Sequence, residues 1–305
     1  MPRNTRARPS LSLCGTSIPA MGLGLYRPID TQTLSIALKH GYRHFNTAFH
    51  YRIGERQRGT IAKWFEDNIV QRDDLFFTAD IHVVLTTMAL DIATVHPPYG
   101  DYVDLCLLHL PDYTKDISST EKKFETQCLP VTDGILMTWW KKVEELHMAK
   151  KARFIGLANF SAEQINFILH NAEIKPSVVQ IAFHPHFQNN DIISLCERNG
   201  ILVSAYQPIP ASTLVDFLNN TENDVLITQD PTLNVLATCH NKTPLQIALR
   251  YAYQRNMAVT TTTTSAEQLI QNMQIFDFTL TREDMETLRN LDNANKVDDA
   301  NNGNT

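Results

Sequence analysis

Imidazoles, thiols and hydroxyls are the groups in this 305-residue chain whose types and spacing bear on chemistry. His109 and the run His184-Pro185-His186 would suit zinc if a carboxylate or a cysteine stood beside them at ligand spacing, and none does. Cys14, Cys106, Cys128, Cys196 and Cys239 are odd in number, scattered, and contain no Cys-x-x-Cys pair. They read as buried thiols of a reducing compartment, not as bridges or ligands, and no metal is expected. The run Thr260-Thr261-Thr262-Thr263-Thr264-Ser265, taken alone, is a β-branched strand leading into a helix cap.

The surrounding composition is ordinary, 43% hydrophobic and 20% charged, which excludes a disordered, collagen-like or disulfide-scaffold chain. A formal charge of −6 supplies no global field for nucleic acid or an anionic membrane. No apolar run approaches the ~18 residues of a membrane span. Residues 1–10 form a short basic arm carrying Arg3, Arg6 and Arg8, ahead of the first acid, Asp30. The expected compartment is cytoplasmic, with mitochondrial import on an Arg-rich leader as the alternative.

Positioning such groups takes a scaffold, and the interior has a two-beat pattern. Apolar, β-branched runs at Met21–Tyr26, Arg43–Ala48, Leu75–Ile81, Val103–His109, Phe154–Asn159, Val178–Phe183, Ile201–Tyr206 and Ala258–Thr262 read as strands. Helical periodicity lies between and after them, at Thr31–Lys39, Glu55–Asp67, Ile135–Lys150, Ala162–Asn171, Asp191–Arg198, Thr243–Arg255, Ser265–Ile275 and Arg282–Leu291. Gly41 and Gly200 stand where helix C-caps belong. Eight strand–helix beats over 11–292 predict one α/β unit, a (β/α)8 TIM barrel with an N-terminal hairpin and an extra C-terminal helix. The polar tail 293–305 is expected to be disordered. In such a barrel the chemistry belongs at the C-terminal ends of the strands.

Those strand ends resemble the aldo-keto reductase family. The resemblance is carried by Gly15-x-x-Ile18-Pro19-x-Met21-Gly22-Leu23-Gly24, by Gly41-Tyr42-Arg43-His44-Phe45-Asn46-Thr47-Ala48-x-x-Tyr51 and by Asp101-Tyr102-Val103-Asp104-Leu105-x-Leu107-Leu108-His109-Leu110-Pro111. Further along come Ile155-Gly156-Leu157-Ala158-Asn159-Phe160, Val179-Gln180-Ile181-x-Phe183-His184-Pro185, Val203-Ser204-Ala205-Tyr206-Gln207-Pro208 and the stretch from Asn272 to Phe278. They run in order over about 11–292 without a large gap.

The resemblance implies carbonyl reduction by hydride from NADPH, with Asp, Tyr, Lys and His as catalytic residues. Position by position these become Asn46, Tyr51, Asp80 and His109, so two are kept and two replaced. The Tyr phenol, ordinarily of pKa near 10, must give a proton to the developing alkoxide, and the family's buried Lys makes it a better donor. A carboxylate at Asp80 reverses that effect: at ~4 Å and an effective dielectric near 20 it opposes phenolate by roughly 4 kcal/mol. No Lys lies between Lys63 and Lys115 to take its place. Asn46, relieved of a Lys to pair with, is expected to hydrogen-bond Asp80.

For the cofactor, NADP or NAD, the resemblance implies that Tyr206 stacks on the nicotinamide while Asn159 and Gln180 hold its carboxamide. Thr262 stands where the family's Lys meets the 2′-phosphate, with Thr263 beside it, and Gln268 stands where an Arg follows. Losing two charge-assisted contacts of roughly 1.5–3 kcal/mol each is expected to weaken NADPH binding by about two to four orders of magnitude, leaving either a preference for NADH or no cofactor binding. Glu267 and Asn272 resemble contacts to the adenine. The substrate mouth also differs from the family at Phe49, His50, His82 and Leu110, and His96-Pro97-Pro98 is expected to break a helix.

Three functions are compatible with these residues. One is a reductase of small carbonyl substrates using Tyr51 and His109. The second is a nicotinamide-binding protein with lost or much reduced turnover. The third is an accessory barrel for a protein partner, since reductase-like barrels occur as subunits of channels and ligases. Replacements concentrated at Asn46, Asp80, Thr262 and Gln268 favour reduced activity.

Overall fold

A computed structural model describes residues 9–25, 29–48, 55–82, 101–110, 131–206, 227 and 229–292. Strands β1 (Ser10–Leu13) and β2 (Thr16–Pro19) form an antiparallel hairpin. Its two-residue turn uses left-handed backbone at Cys14 and Gly15, φ 44° and 80°, the primed geometry that matches strand twist. The barrel strands are β3 (Met21–Gly24), β4 (His44–Ala48), β5 (Phe76–His82), β6 (Val103–His109), β7 (Ala152–Ala158), β8 (Val178–Ala182), β9 (Leu202–Tyr206) and β10 (Ala258–Thr261). They are parallel and close in sequence order, with β10 pairing back onto β3.

The described α-helices are α1 (Thr31–Lys39), α2 (Glu55–Glu66), α3 (Asp133–Met148), α4 (Ala162–Asn171), α5 (Asn190–Arg198), α6 (Pro231–His240), α7 (Pro244–Gln254), α8 (Ala266–Met273) and α9 (Arg282–Arg289). Most begin as the sequence predicts. Capping boxes at Ser161/Gln164, Thr243/Gln246 and Thr281/Asp284 satisfy first-turn amides. Gly41 and Gly200, at φ 102° and 67°, follow the C-caps of α1 and α5.

The strands alternate their side chains between two cores. Outward residues such as Phe45, Phe77, Leu108, Ile155, Val179 and Val259 pack under the helices. Inward residues Phe76, Leu105, Leu107, Ala158, Val178, Leu202 and Ala258 form a second cluster, which the hairpin's Leu11, Leu13 and Ile18 stopper from below. Gly156 is required by close approach, because a Cβ there would lie 2.3 Å from the Val178 carbonyl oxygen. Alongside this apolar cluster, other inward positions are polar and buried: His44, Asn46, Thr78, Asp80, Gln180, Ser204 and Thr260.

Several boundaries move from their expected places. Strand β7 stops at Ala158, because Asn159 turns left-handed at φ 64°. The expected helix Ser265–Ile275 divides into α8 and a 3-10 turn at Gln274–Phe276. Helix α6 was not anticipated, although Asp230 before Pro231 is a readable signal: Asp230 caps the Leu233 amide at 2.8 Å and proline occupies the first turn. The arm's residues 1–8, Phe49, His50, Tyr51, His96-Pro97-Pro98 and the tail 293–305 lie outside the described residues.

Candidate active site at the C-terminal strand ends

Strand register brings Asp80, His109, Asn159, Gln180 and Tyr206 of the predicted residues together. β5 pairs with β6 so that the backbone of His82 is in register with His109, and His109 in turn pairs with Ala158, the residue before Asn159. β7 pairs Ala158 with Gln180, and β8 pairs Gln180 with Ser204 and Ala182 with Tyr206. Asp80, His109, Asn159, Gln180, Ser204 and Tyr206 therefore line consecutive strand ends around one mouth.

A hydrogen-bond chain joins them. The Tyr206 hydroxyl donates to Asn159 Oδ1. Asn159 Nδ2 lies 2.9 Å from His109 Nε2. On the far side of the ring, His109 Nδ1 is 3.7 Å from Asp80 Oδ2, an ion-pair distance rather than a hydrogen bond. The Asp80 side chain is 0% exposed and that of His109 is 16% exposed, so water screens this pair little. Gln180 Nε2 donates to Ser204 Oγ at 3.4 Å. Ser204 was not singled out from the sequence, yet the period-two alternation of β9 places it on the inner face with Tyr206.

Asn46 is 0% exposed, and neither its amide nitrogen nor its amide oxygen has a hydrogen-bond partner among the described residues. The expected Asn46–Asp80 hydrogen bond is absent. Register explains why: β4 and β5 pair Asn46 with Thr78 and Ala48 with Asp80, leaving the two side chains two residues out of step. Beneath them, the His44 ring shares a hydrogen bond with Thr78 Oγ1 at 2.8 Å. Burial pushes the His44 pKa down to about 4, against the support of the Pro19 carbonyl and the Asp80 charge. Burial and the nearby Asp80 charge together push the Cys106 thiol far up, which makes it inert.

The cofactor candidates divide into two sets. Asn159, Gln180 and Tyr206 offer two amides and an aromatic ring at one mouth, a donor set that fits a nicotinamide and its carboxamide. Thr262 and Thr263 follow β10, where Thr263 Oγ1 accepts from the Ser265 amide at 3.0 Å. The Gln268 amide caps onto Ser265 Oγ at 3.3 Å, and Asn272 is buried, donating to Thr261 Oγ1. The set Thr262, Thr263, Gln268 and Asn272 carries no cation, which fits a 2′-hydroxyl better than a 2′-phosphate. His184-Pro185-His186 is bound into the scaffold: His186 Nε2 is 2.8 Å from Asp230 Oδ2, and the His186 amide donates to His184 Nδ1. No group of three or more potential metal ligands clusters among the described residues. A crevice of about 1210 Å³ opens at the opposite end of the barrel, between the hairpin, Asp73, Tyr102 and Arg153, and takes no part in this site.

Comparison with known proteins agrees with the barrel fold. A sequence profile of the aldo/keto reductase family matches residues 99–293. The chain is 30% identical over 305 residues to the NAD(P)H-dependent D-xylose reductase of Scheffersomyces stipitis, covering 93% of this chain and 94% of that protein. It is 30% identical over 294 residues to human aldo-keto reductase family 1 member C3, covering 91% and 89%. A crystal structure of MGS-M4, an aldo-keto reductase enzyme from a deep-sea metagenome library, superposes with a TM-score of 0.72 at 25% identity, covering 93% and 94%. A closed eight-stranded barrel, a hairpin stopper and a His–Asn–Tyr strand-end set thus coincide with full-length similarity, and the chain belongs to the aldo/keto reductase family.

Proposed function

We propose that this protein binds a nicotinamide dinucleotide at the mouth formed by Asn159, Gln180 and Tyr206, and that it performs the family's Tyr-mediated carbonyl reduction only slowly. The observation that carries the reading is Asp80: a wholly buried carboxyl, 3.7 Å from His109, at the position where the family's Lys is expected. A Lys ammonium there eases proton donation from Tyr51, whereas a carboxylate opposes the phenolate that donation leaves behind. Asn46 is consistent with that change, because an amide carries no charge to be left unbalanced in the interior.

When bound, the dinucleotide would supply hydride chemistry. The chain's own part is to hold the carboxamide through Asn159 and Gln180 and to support the ring against Tyr206. NADH is preferred over NADPH, since Thr262 and Gln268 offer hydrogen bonds but no charge. The substrate class is a small carbonyl or alcohol. One relative's description as NAD(P)H-dependent supports a nicotinamide cofactor of either kind.

Calorimetric titration with NADH and then NADPH tests the reading. Micromolar binding of NADH, with NADPH weaker, is expected, together with aldehyde turnover in the wild type far below that of the Asp80→Lys variant. No heat at millimolar concentrations of either cofactor would overturn it.

A further inference from the structure

The hydrogen-bond chain in the mouth has a direction, and that direction bears on the chemistry; this inference rests on the nicotinamide reading above. We propose that Asp80 is a positioning residue that holds the His109 ring with a proton on Nδ1 and Nε2 turned toward the mouth. His109 Nε2 is then a proton acceptor, suited to take the proton of an alcohol hydroxyl in an oxidation by NAD+.

Both ends of the chain select the same polarity. At one end, a lone pair on Nδ1 would face the buried Asp80 carboxylate at 3.7 Å with little water to screen the repulsion, whereas an Nδ1–H faces it favourably. At the other end, the Tyr206 hydroxyl donates to Asn159 Oδ1, which turns the Asn159 NH2 toward the ring. That NH2 lies 2.9 Å from Nε2 and donates to its lone pair. The hydrogen bonds run from Tyr206 to Asn159 to His109 Nε2, and the charge of Asp80, 3.7 Å beyond the ring, favours the same polarity. The opposite polarity would set the Asn159 carbonyl against Nε2–H and leave the bare Nδ1 against a carboxylate. A carboxylate behind an imidazole also stabilises the imidazolium formed when the ring accepts a proton.

In the proposed step the substrate hydroxyl replaces the Asn159 amide on Nε2. The O–H bond breaks and its proton passes to Nε2, the carbinol C–H electron pair leaves as hydride to NAD+, and the C–O bond becomes the carbonyl. The products are an aldehyde or ketone, NADH and the His109 imidazolium beside Asp80. The reverse step would return the proton from that imidazolium.

Nitrogen-15 correlation spectra of histidine-labelled, cofactor-free protein read the tautomer directly, with His109 assigned by the signal lost in His109→Gln. Wild type is expected to show protonated Nδ1 and bare Nε2. Asp80→Asn, whose amide can offer its own N–H to Nδ1, is expected to shift the ring toward Nε2–H, and Asp80→Glu is expected to retain the wild-type pattern. With NAD+ bound, primary and secondary alcohols should be oxidised at a rate that falls about a hundredfold in Asp80→Asn. An Nε2–H ring in wild type, or spectra of wild type and Asp80→Asn that coincide, would overturn the proposal. So would bound NAD+ with no alcohol oxidised across the panel. Failure of NAD+ to bind would instead overturn the cofactor reading, while the tautomer is still decided by the spectra.

Discussion

Asn46 and Asp80 face the barrel interior from adjacent strands, both wholly buried, yet they stand two residues out of register and do not bond. The pair therefore does not compensate internally for a missing ion pair. Asp80 leans on His109 instead, and Asn46 carries the desolvation of an amide whose two polar atoms have no partner among the described residues.

Stability should reveal this arrangement. Asp80→Lys alone places an ammonium in the interior beside an uncharged amide and is expected to cost about 3–5 kcal/mol. Adding Asn46→Asp supplies the opposite charge, and the double variant should regain more than about 1 kcal/mol of that loss. Urea midpoints of the wild type, both single variants and the double variant measure the coupling.

His44 predicts a pH dependence whose sign follows from burial. Its folded pKa, about 4, lies below the ordinary 6.5. Its contribution is therefore fully present above about pH 6.5 and is lost as pH falls toward about 4, where the unfolded chain takes up a proton that the folded one refuses. The loss amounts to roughly 3 kcal/mol over that window. Unfolding free energies at pH 7 and pH 4 should show wild type losing that much more than His44→Gln, which has nothing to titrate there.

Two glycines should respond oppositely to the same added methyl. Gly156→Ala would set a Cβ 2.3 Å from the Val178 carbonyl and 2.8 Å from Leu107 Cδ2, so backbone must move. A loss of about 1–3 kcal/mol is expected. Gly59 sits inside α2 with nothing within 4 Å of its would-be Cβ, and Gly59→Ala should gain about 0.5–1 kcal/mol of helix propensity. Thermal midpoints of the two variants separate the effects.

Much of the barrel could be read from the sequence because its strands are short apolar runs bounded by polar and glycine residues, and its helices carry explicit caps at Ser161, Thr243 and Thr281. Boundaries failed where one backbone angle decides them, as at Asn159. Helix α6 was missed although Asp230-Pro231 announces it. The site was legible as a set of residue types at strand ends. The pairing of Asp80 with His109 was not, since it depends on register across β5 and β6 and on the competing reach of Asn46 across β4. Ser204 was overlooked because serine on a strand carries no signal until the inward face of β9 is known.

Asp80 in place of a cation is predicted to hold back the Tyr51-mediated reduction of carbonyls. Steady-state reduction of a broadly accepted aldehyde, at saturating NADH, by wild type and by Asn46→Asp/Asp80→Lys tests it most directly. The double variant is predicted to turn over at least about a hundredfold faster, the scale of one restored acid–base contribution. A wild type that matches or exceeds a folded, cofactor-binding double variant would show that Asp80 does not limit the reaction.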